Sequence, residues 1–194
     1  MRRFSVFLTL LLLAALTAVP GAAQTAAKTP TKKLSRSSGR LADDTINSWN
    51  GIARKLIEMA EDFPEDKYDY RPTPEVRSFR QMMLHIAGVN YLLAKAVKGL
   101  PVDPAEEDPP VEKFRTRKDV VDFLTKSFAE GAALVQEKGE RGLRQQVKHP
   151  FAERLVTTHS LWMLGIEHSG EHYGNLVVYY RLNGLVPPVS RPRR

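Results

Sequence analysis

The chain has 194 residues and no cysteine, which excludes disulfides, thiolate nucleophiles and sulfur ligands for a metal ion. Its net charge of +7 would suit a nucleic-acid partner, but residues 1–40 carry seven basic residues and no acidic one. Three further arginines follow residue 190, so residues 41–190 hold 19 basic and 22 acidic side chains. Because the globular part is slightly acidic, we expect no nucleic-acid partner.

The N-terminus has the layout of a secretory signal. Two arginines follow Met1, an apolar run spans residues 4–19, and small residues suited to a signal peptidase occupy positions 21–23. The apolar run is shorter than the ~20 residues of a membrane-spanning helix. We therefore predict a signal peptide over residues 1–23, with an uncleaved anchor as the alternative. The protein is then exported, periplasmic or secreted, with no membrane span after cleavage. Residues 24–40 lack apolar periodicity, which predicts a disordered linker.

Residues 41–189 predict one domain of ordinary size, followed by a basic tail at 190–194. The first predicted helix follows Asp43 and runs to about Asp62, because apolar side chains recur at steps of three and four residues. This spacing places the apolar side chains on one face of the helix, where they can pack against a partner.

Two further helices have clear start and stop signals. The second begins at Ser78 with Gln81 three residues later, a spacing typical of a capping box. It ends at Gly99, with a proline shortly beyond. The third begins near Thr116 and its apolar pattern fades at about Gly139. Both helices carry one apolar stripe.

The fourth predicted helix spans about residues 158–182 and ends at an Asn-Gly pair. Residues 141–157 could be a loop or a short extended pair, and no segment has convincing strand alternation. Four helices with one apolar face each predict an all-α fold, a four-helix bundle. The proline-rich residues 99–115 are long enough to cross the height of a bundle, so we expect a long crossover between helices two and three.

Three of the five histidines lie on the apolar faces of these helices. On the fourth helix His168 and His172 are four residues apart and share a face with apolar side chains. His85 lies on the apolar face of the second helix. Imidazoles at i, i+4 can bind one cation, and a third histidine from another helix gives three ligands with an open coordination position, as in catalytic sites. We therefore predict a metal site at His85, His168 and His172.

Other interpretations of these histidines remain open. A pair at i, i+4, or one core histidine, is often structural. The motif "HSGEH" is not the "HExxH" of metalloproteases, because Glu171 points away from the shared face. We predict His149 and His159 to lie at the surface. No general base stands out, although Tyr91, Tyr173 and Asn175 are the nearest candidates by position.

The chain resembles the DinB/YfiT-like superfamily of bacterial four-helix-bundle proteins over most of residues 41–188. The resemblance rests on the segments "RPTPEVRSFRQMMLHIAGVNYLL", "HSGEHYGNLVVYYRLNG" and "LVPP". Carried over by position, the metal ligands of the family correspond to His85, His168 and His172. The chain departs from the family at Asn175, where members often have glutamine, and in its signal peptide, since most members are cytoplasmic.

The resemblance implies a divalent metal ion, with zinc first and nickel or iron as alternatives. It implies a metal-dependent hydrolase or a thiol transferase acting on an unknown small-molecule substrate, and a possible homodimer. Two other functions stay open: a non-enzymatic or stress-associated bundle that a metal stabilises, and a bundle without metal.

Overall fold

The computed structural model describes residues 40–192. The predicted signal peptide, nearly all of the predicted linker and the last two residues lie outside the described residues. Four helices dominate the described part, and the predicted four-helix bundle is confirmed. Their bounds are α1, Leu41–Asp62; α2, Phe79–Lys98; α3, Arg117–Leu143; and α4, Thr158–Leu182.

Local capping interactions mark the beginnings of α2 and α3. The Ser78 hydroxyl accepts from the backbone N–H of Gln81, whose side chain accepts from the backbone N–H of Ser78, so the predicted capping box is present. Thr116 and Asp119 form an equivalent box at the start of α3. The predicted end of α3 near Gly139 coincides with a break in the helix. Gly139 interrupts the helix with φ of +57°, but a last turn continues to Leu143.

In the bundle, α1 and α2 each pack against both α3 and α4. The indole of Trp49 on α1 fills the centre and donates to the Phe128 carbonyl on α3 at 2.8 Å. It also packs edge-on against Trp162 on α4, with ring centroids 5.2 Å apart. Because Gly131 and Gly165 have no side chains, α3 and α4 can approach this indole closely: a Cβ at these positions would lie 2.5 Å and 2.8 Å from it.

The connection between α2 and α3 lies along α2. A Cβ at Gly88 would lie 2.3 Å from the backbone oxygen of Glu107. Near the start of α2, the buried Arg80 donates to the carbonyls of Phe114 and Arg115 at 2.8 and 2.9 Å. The segment contains two short 3-10 turns, at Pro104–Glu107 and Val111–Lys113.

The uncertain segment before α4 forms a short antiparallel hairpin. Strand β1, Gln146–Lys148, pairs with β2, Leu155–Thr157, with Val147 opposite Val156. The Lys148 ammonium and the Glu153 carboxylate pair at 3.1 Å near the tip. The second alternative for this segment, an extended pair, is therefore correct. Three residues per strand are too few for periodicity to show.

At the C-terminus, the chain returns to α1. The guanidinium of Arg191 forms two hydrogen bonds to the carboxylate of Asp62 and also donates to the carbonyl of Val186. None of the helices in residues 40–192 has an apolar stretch sufficient to span a bilayer.

Candidate metal centre

Two antiparallel helices bring three histidines together. His168 and His172 lie one turn apart on α4 and therefore share a face. His85 faces them from α2, which is almost entirely buried from Phe79 to Val97. Tyr179 fixes the pairing of these helices near the site, because its hydroxyl donates to the Arg77 carbonyl at 2.6 Å.

The three rings converge through their Nε2 atoms. Nε2 of His168 lies 3.1 Å from Nε2 of His85 and 3.0 Å from Nε2 of His172. A neutral imidazole has one proton, so His168 can donate from Nε2 to at most one of these neighbours. The cluster thus presents more lone pairs than its own protons can satisfy.

A carboxylate determines the tautomer of His85. Oδ1 of Asp108 lies 3.1 Å from Nδ1 of His85. Since a carboxylate accepts hydrogen bonds, Nδ1 carries the proton and Nε2 directs a lone pair at the other two histidines. Asp108 is held in turn by Arg77, which donates from Nε and Nη2 at 2.9 and 2.8 Å.

The other two imidazoles are less constrained. Nδ1 of His172 lies 3.4 Å from the Asn175 side-chain amide nitrogen. Nδ1 of His168 is buried and has no hydrogen-bond partner among residues 40–192. Asp108 is therefore the one carboxylate, in the described part of the chain, that hydrogen-bonds to a ring of this cluster.

Burial keeps all three rings neutral. It lowers the pKa of His168 to about 3, and the neighbouring imidazoles and the charge of Arg77 act in the same direction. It lowers the pKa of His172 to about 4, again with contributions from His85 and Arg77. Burial and Arg77 also lower the pKa of His85. At Asp108, burial is the largest influence and opposes ionisation, but the hydrogen bonds and charges of Arg77 and His85 together outweigh it and lower the pKa.

A cavity of about 390 Å³ opens beside the cluster. Its wall combines the three imidazoles with charged and apolar side chains, and Phe151 reaches it from the hairpin tip. The lining residues besides the histidines are Arg77, Val89, Glu107, Phe151 and Leu164. This volume is within the range of small-molecule sites.

The cluster fits a divalent cation. Nitrogens that each lie 2.0–2.1 Å from one tetrahedral zinc ion are about 3.3 Å apart. The two Nε2 separations at His168 are only slightly shorter. The rings are neutral, as metal ligands must be, and a carboxylate orients one of them. His85, His168 and His172 thus form a group that could hold a metal ion.

Most of the other candidate residues predicted from the sequence lie outside the histidine cluster. Tyr91 packs against Phe123 of α3, with ring centroids 5.0 Å apart, and Tyr173 lies under the Lys55 ammonium of α1. His149 and His159 are partly exposed, and neither belongs to the cluster. Glu171 is exposed, as expected from its position on α4. Of the three candidate bases, Asn175 alone contacts a cluster histidine.

Sequence patterns do not identify three charged residues that lie at this site. Arg77 precedes α2, and Glu107 and Asp108 lie in the connection after it. These segments have no helical periodicity from which a side-chain direction could be calculated. One signal was available: Gly88, one turn after His85, indicates a close backbone approach at that level of α2.

Comparison with known proteins identifies relatives of the same fold. The model of the DinB family matches residues 35–192. YjoA of Bacillus subtilis is 30% identical over 129 residues, which are 66% of this chain and 80% of YjoA. In the crystal structure of YjoA, the superposition covers 78% of this chain and 99% of that one, with a TM-score of 0.60.

Two other solved structures share this architecture at 17% identity. A DinB-like protein of Bacillus cereus has a TM-score of 0.62, covering 74% of this chain and 93% of its own. YfiT of Bacillus subtilis has a TM-score of 0.60, covering 81% and 94%. YfiT is described as a probable metal-dependent hydrolase with an unusual four-helix bundle topology.

Proposed function

The chain belongs to the DinB family, and from this we propose that it is a metal-dependent hydrolase whose divalent ion is held by His85, His168 and His172. The observation that carries the proposal is the convergence of three neutral Nε2 atoms beside a cavity. We propose zinc as the ion, with nickel and iron as alternatives. The similarity to YfiT supports hydrolysis as the reaction.

A divalent ion at these nitrogens would supply Lewis acidity and lower the pKa of water near it. The protein supplies the surroundings. The apolar side chains of Val89, Leu164 and Phe151 form an apolar wall on the cavity. A small substrate with an apolar part next to its ester or amide group fits this wall.

Arg77 provides a fixed positive charge at the same cavity. Asp108 holds its guanidinium through Nε and Nη2, which leaves other N–H groups of the guanidinium free to donate. A group held in this way can stabilise negative charge on a carbonyl oxygen without reorganising. Its charge acts at the cluster, since it lowers the pKa of all three histidines.

Replacement of His168 tests the metal site. His168→Ala removes the nitrogen that lies within 3.1 Å of both other ligands. We expect the purified protein, without a histidine tag, to contain about one metal ion per chain and the variant to contain almost none. Elemental analysis gives both the amount and the identity of the metal.

His159→Ala is the matched control, because His159 is on the same helix outside the cluster and should leave the metal content unchanged. Equal metal content in the wild type and His168→Ala would contradict the proposal. If the metal raises the melting temperature but the loaded protein hydrolyses neither 4-nitrophenyl acetate nor a panel of amides, a purely stabilising metal is favoured.

A further inference from the structure

The connection between α2 and α3 places one carboxylate, that of Glu107, at the cavity beside the histidines. Among residues 40–192 this carboxylate has no ion-pair or hydrogen-bond partner. Glu107 is half-buried and lines the cavity with the three histidines. Its neighbours have partners: Glu106 pairs with Lys95, and Asp108 pairs with Arg77 and His85.

The carboxylate of Glu107 is close to the ligands. One of its oxygens, one oxygen of Asp108 and a ring nitrogen of His85 all lie within 4.8 Å of one another. The two carboxylates of α4, Glu167 and Glu171, are exposed. Among the carboxylates of the described residues, Glu107 alone lines the cavity.

Gly88 explains how the backbone brings Glu107 to this point. A Cβ at residue 88 would lie 2.3 Å from the oxygen and 2.8 Å from the carbon of the Glu107 carbonyl. Gly88 follows His85 by about one helical turn. The bare helix surface therefore lets the connection rest on α2 at the level of the metal centre, with Glu107 toward the cavity and Asp108 toward Nδ1 of His85.

We propose that Glu107 is the general base of this cavity, a role that rests on the hydrolysis proposed above. Its carboxylate accepts a proton from a water molecule as the water oxygen bonds to the acyl carbon. The bond from that carbon to the leaving group then breaks, the electron pair stays with the leaving group, and Glu107 returns the proton to it. One water is consumed per bond broken, and Glu107 ends as a carboxylate.

Acetohydroxamic acid is a probe for this carboxylate that requires no knowledge of the substrate. The compound is small enough for the cavity and chelates divalent metals. When it binds a metal, its O–H proton is either released or shared with a neighbouring acceptor. A carboxylate beside the site stabilises that proton through a charge-assisted hydrogen bond. Removing such a bond weakens binding by about ten- to a hundredfold.

The experiment compares the zinc-loaded wild type with Glu107→Gln by calorimetry, for zinc and then for acetohydroxamic acid. We expect equal zinc affinity and a ten- to a hundredfold loss of hydroxamate affinity in Glu107→Gln. Glu107→Asp, which retains the charge on a shorter side chain, should recover part of the loss. Glu106→Gln is the matched control and should bind the probe like the wild type.

The outcomes separate the two proposals. If the wild type binds none of zinc, nickel and iron, the hydrolase proposal itself is overturned. Normal zinc binding with equal hydroxamate affinity in wild type and Glu107→Gln would overturn the role of Glu107 alone. A zinc-loaded wild type that binds no hydroxamate would also count against that role, because the cavity would then not admit a ligand beside Glu107.

The position of Gly88 provides a second variant. Gly88→Ala should displace the backbone at Glu107 and weaken hydroxamate binding, whereas Gly51→Ala, on α1 with open space around it, should not. Unchanged binding in Gly88→Ala would show that this close approach does not position the carboxylate.

Discussion

His85 differs from the other two histidines of the cluster because a carboxylate fixes the position of its proton. The side chains of Arg77, Asp108 and His85 form a chain of hydrogen bonds that ends at the cluster. Arg77 holds Asp108 in two places, so the carboxylate has little freedom to turn away. The lone pair on Nε2 of His85 is therefore oriented before any ion arrives.

Asp108→Asn should weaken metal binding without removing a ligand. The amide can either accept from Nδ1 or donate to it, so the tautomer with its lone pair at Nε2 is no longer enforced. Loss of such an outer carboxylate commonly costs about ten- to a hundredfold in metal affinity, and competition with a chromogenic chelator measures it. Asp122→Asn, which breaks a surface pair with Lys118, is the control. Equal affinities for both variants would argue against a role in orientation.

At the level of residues, the sequence predicts the convergence of the three histidines better than it predicts their surroundings. The directions of His85, His168 and His172 follow from helix geometry once the apolar faces are known. Asp108 and Glu107 stand between prolines in a segment whose path depends on contact with Gly88. Local sequence contains no information on that contact, because it joins residues almost twenty positions apart.

At the level of elements, the bundle is packed around Trp49, and two glycines set the distance of the surrounding helices. Gly165 is on α4, three residues before His168, where a Cβ would lie 2.7 Å from Leu93 and 2.8 Å from Trp49. The same glycine therefore controls how closely α4 approaches both α1 and α2.

Gly165→Ala should destabilise the fold through overpacking. Forcing an extra methyl group into a close-packed core typically costs about 1–3 kcal/mol, and urea denaturation gives the free energy of unfolding. Gly170 is on the same helix with open space around it, so Gly170→Ala should instead stabilise by about 0.5–1 kcal/mol through helix propensity. If both variants have the same stability, the contact of Gly165 with Trp49 does not limit packing.

Element boundaries were predictable where capping chemistry is local. The box at Ser78 and Gln81 has a recognisable spacing, and α4 has the predicted bounds. The hairpin at 146–157 and the last turn of α3 were not predictable, because tertiary packing decides both. The sequence also does not predict which helices are neighbours. An apolar stripe shows that a helix packs against another helix, but the identity of that partner depends on the path of the connections.

At the level of the whole molecule, two ion pairs hold peripheral segments on the bundle. Asp69 pairs with the buried Arg80, which also binds the carbonyls of the connection before α3. Asp62 at the end of α1 pairs with Arg191. Hydrogen bonds from the arginines lower the pKa of both carboxyl groups below the ordinary value of 3.8.

These pairs should make stability fall in acid. A carboxyl group with a lowered pKa in the folded state stabilises the fold above its ordinary pKa, and this contribution is lost as the pH falls through the folded-state pKa. Exposed pairs contribute about 0.2–1 kcal/mol each. Asp69→Asn should therefore be less stable than the wild type in urea at pH 7, and the difference should be smaller at pH 2. An equal difference in the free energy of unfolding at pH 7 and pH 2 would contradict the prediction.

His85 and His168 touch through their Nε2 atoms although 83 positions separate them in the chain. An ion shared by these atoms would act as a reversible cross-link between α2 and α4, in a chain whose composition provides no disulfide. Because this cross-link would be a metal–ligand bond and not a disulfide, the stability of the fold would depend on the concentration of free metal. It would not depend on the thiol–disulfide redox potential around the protein.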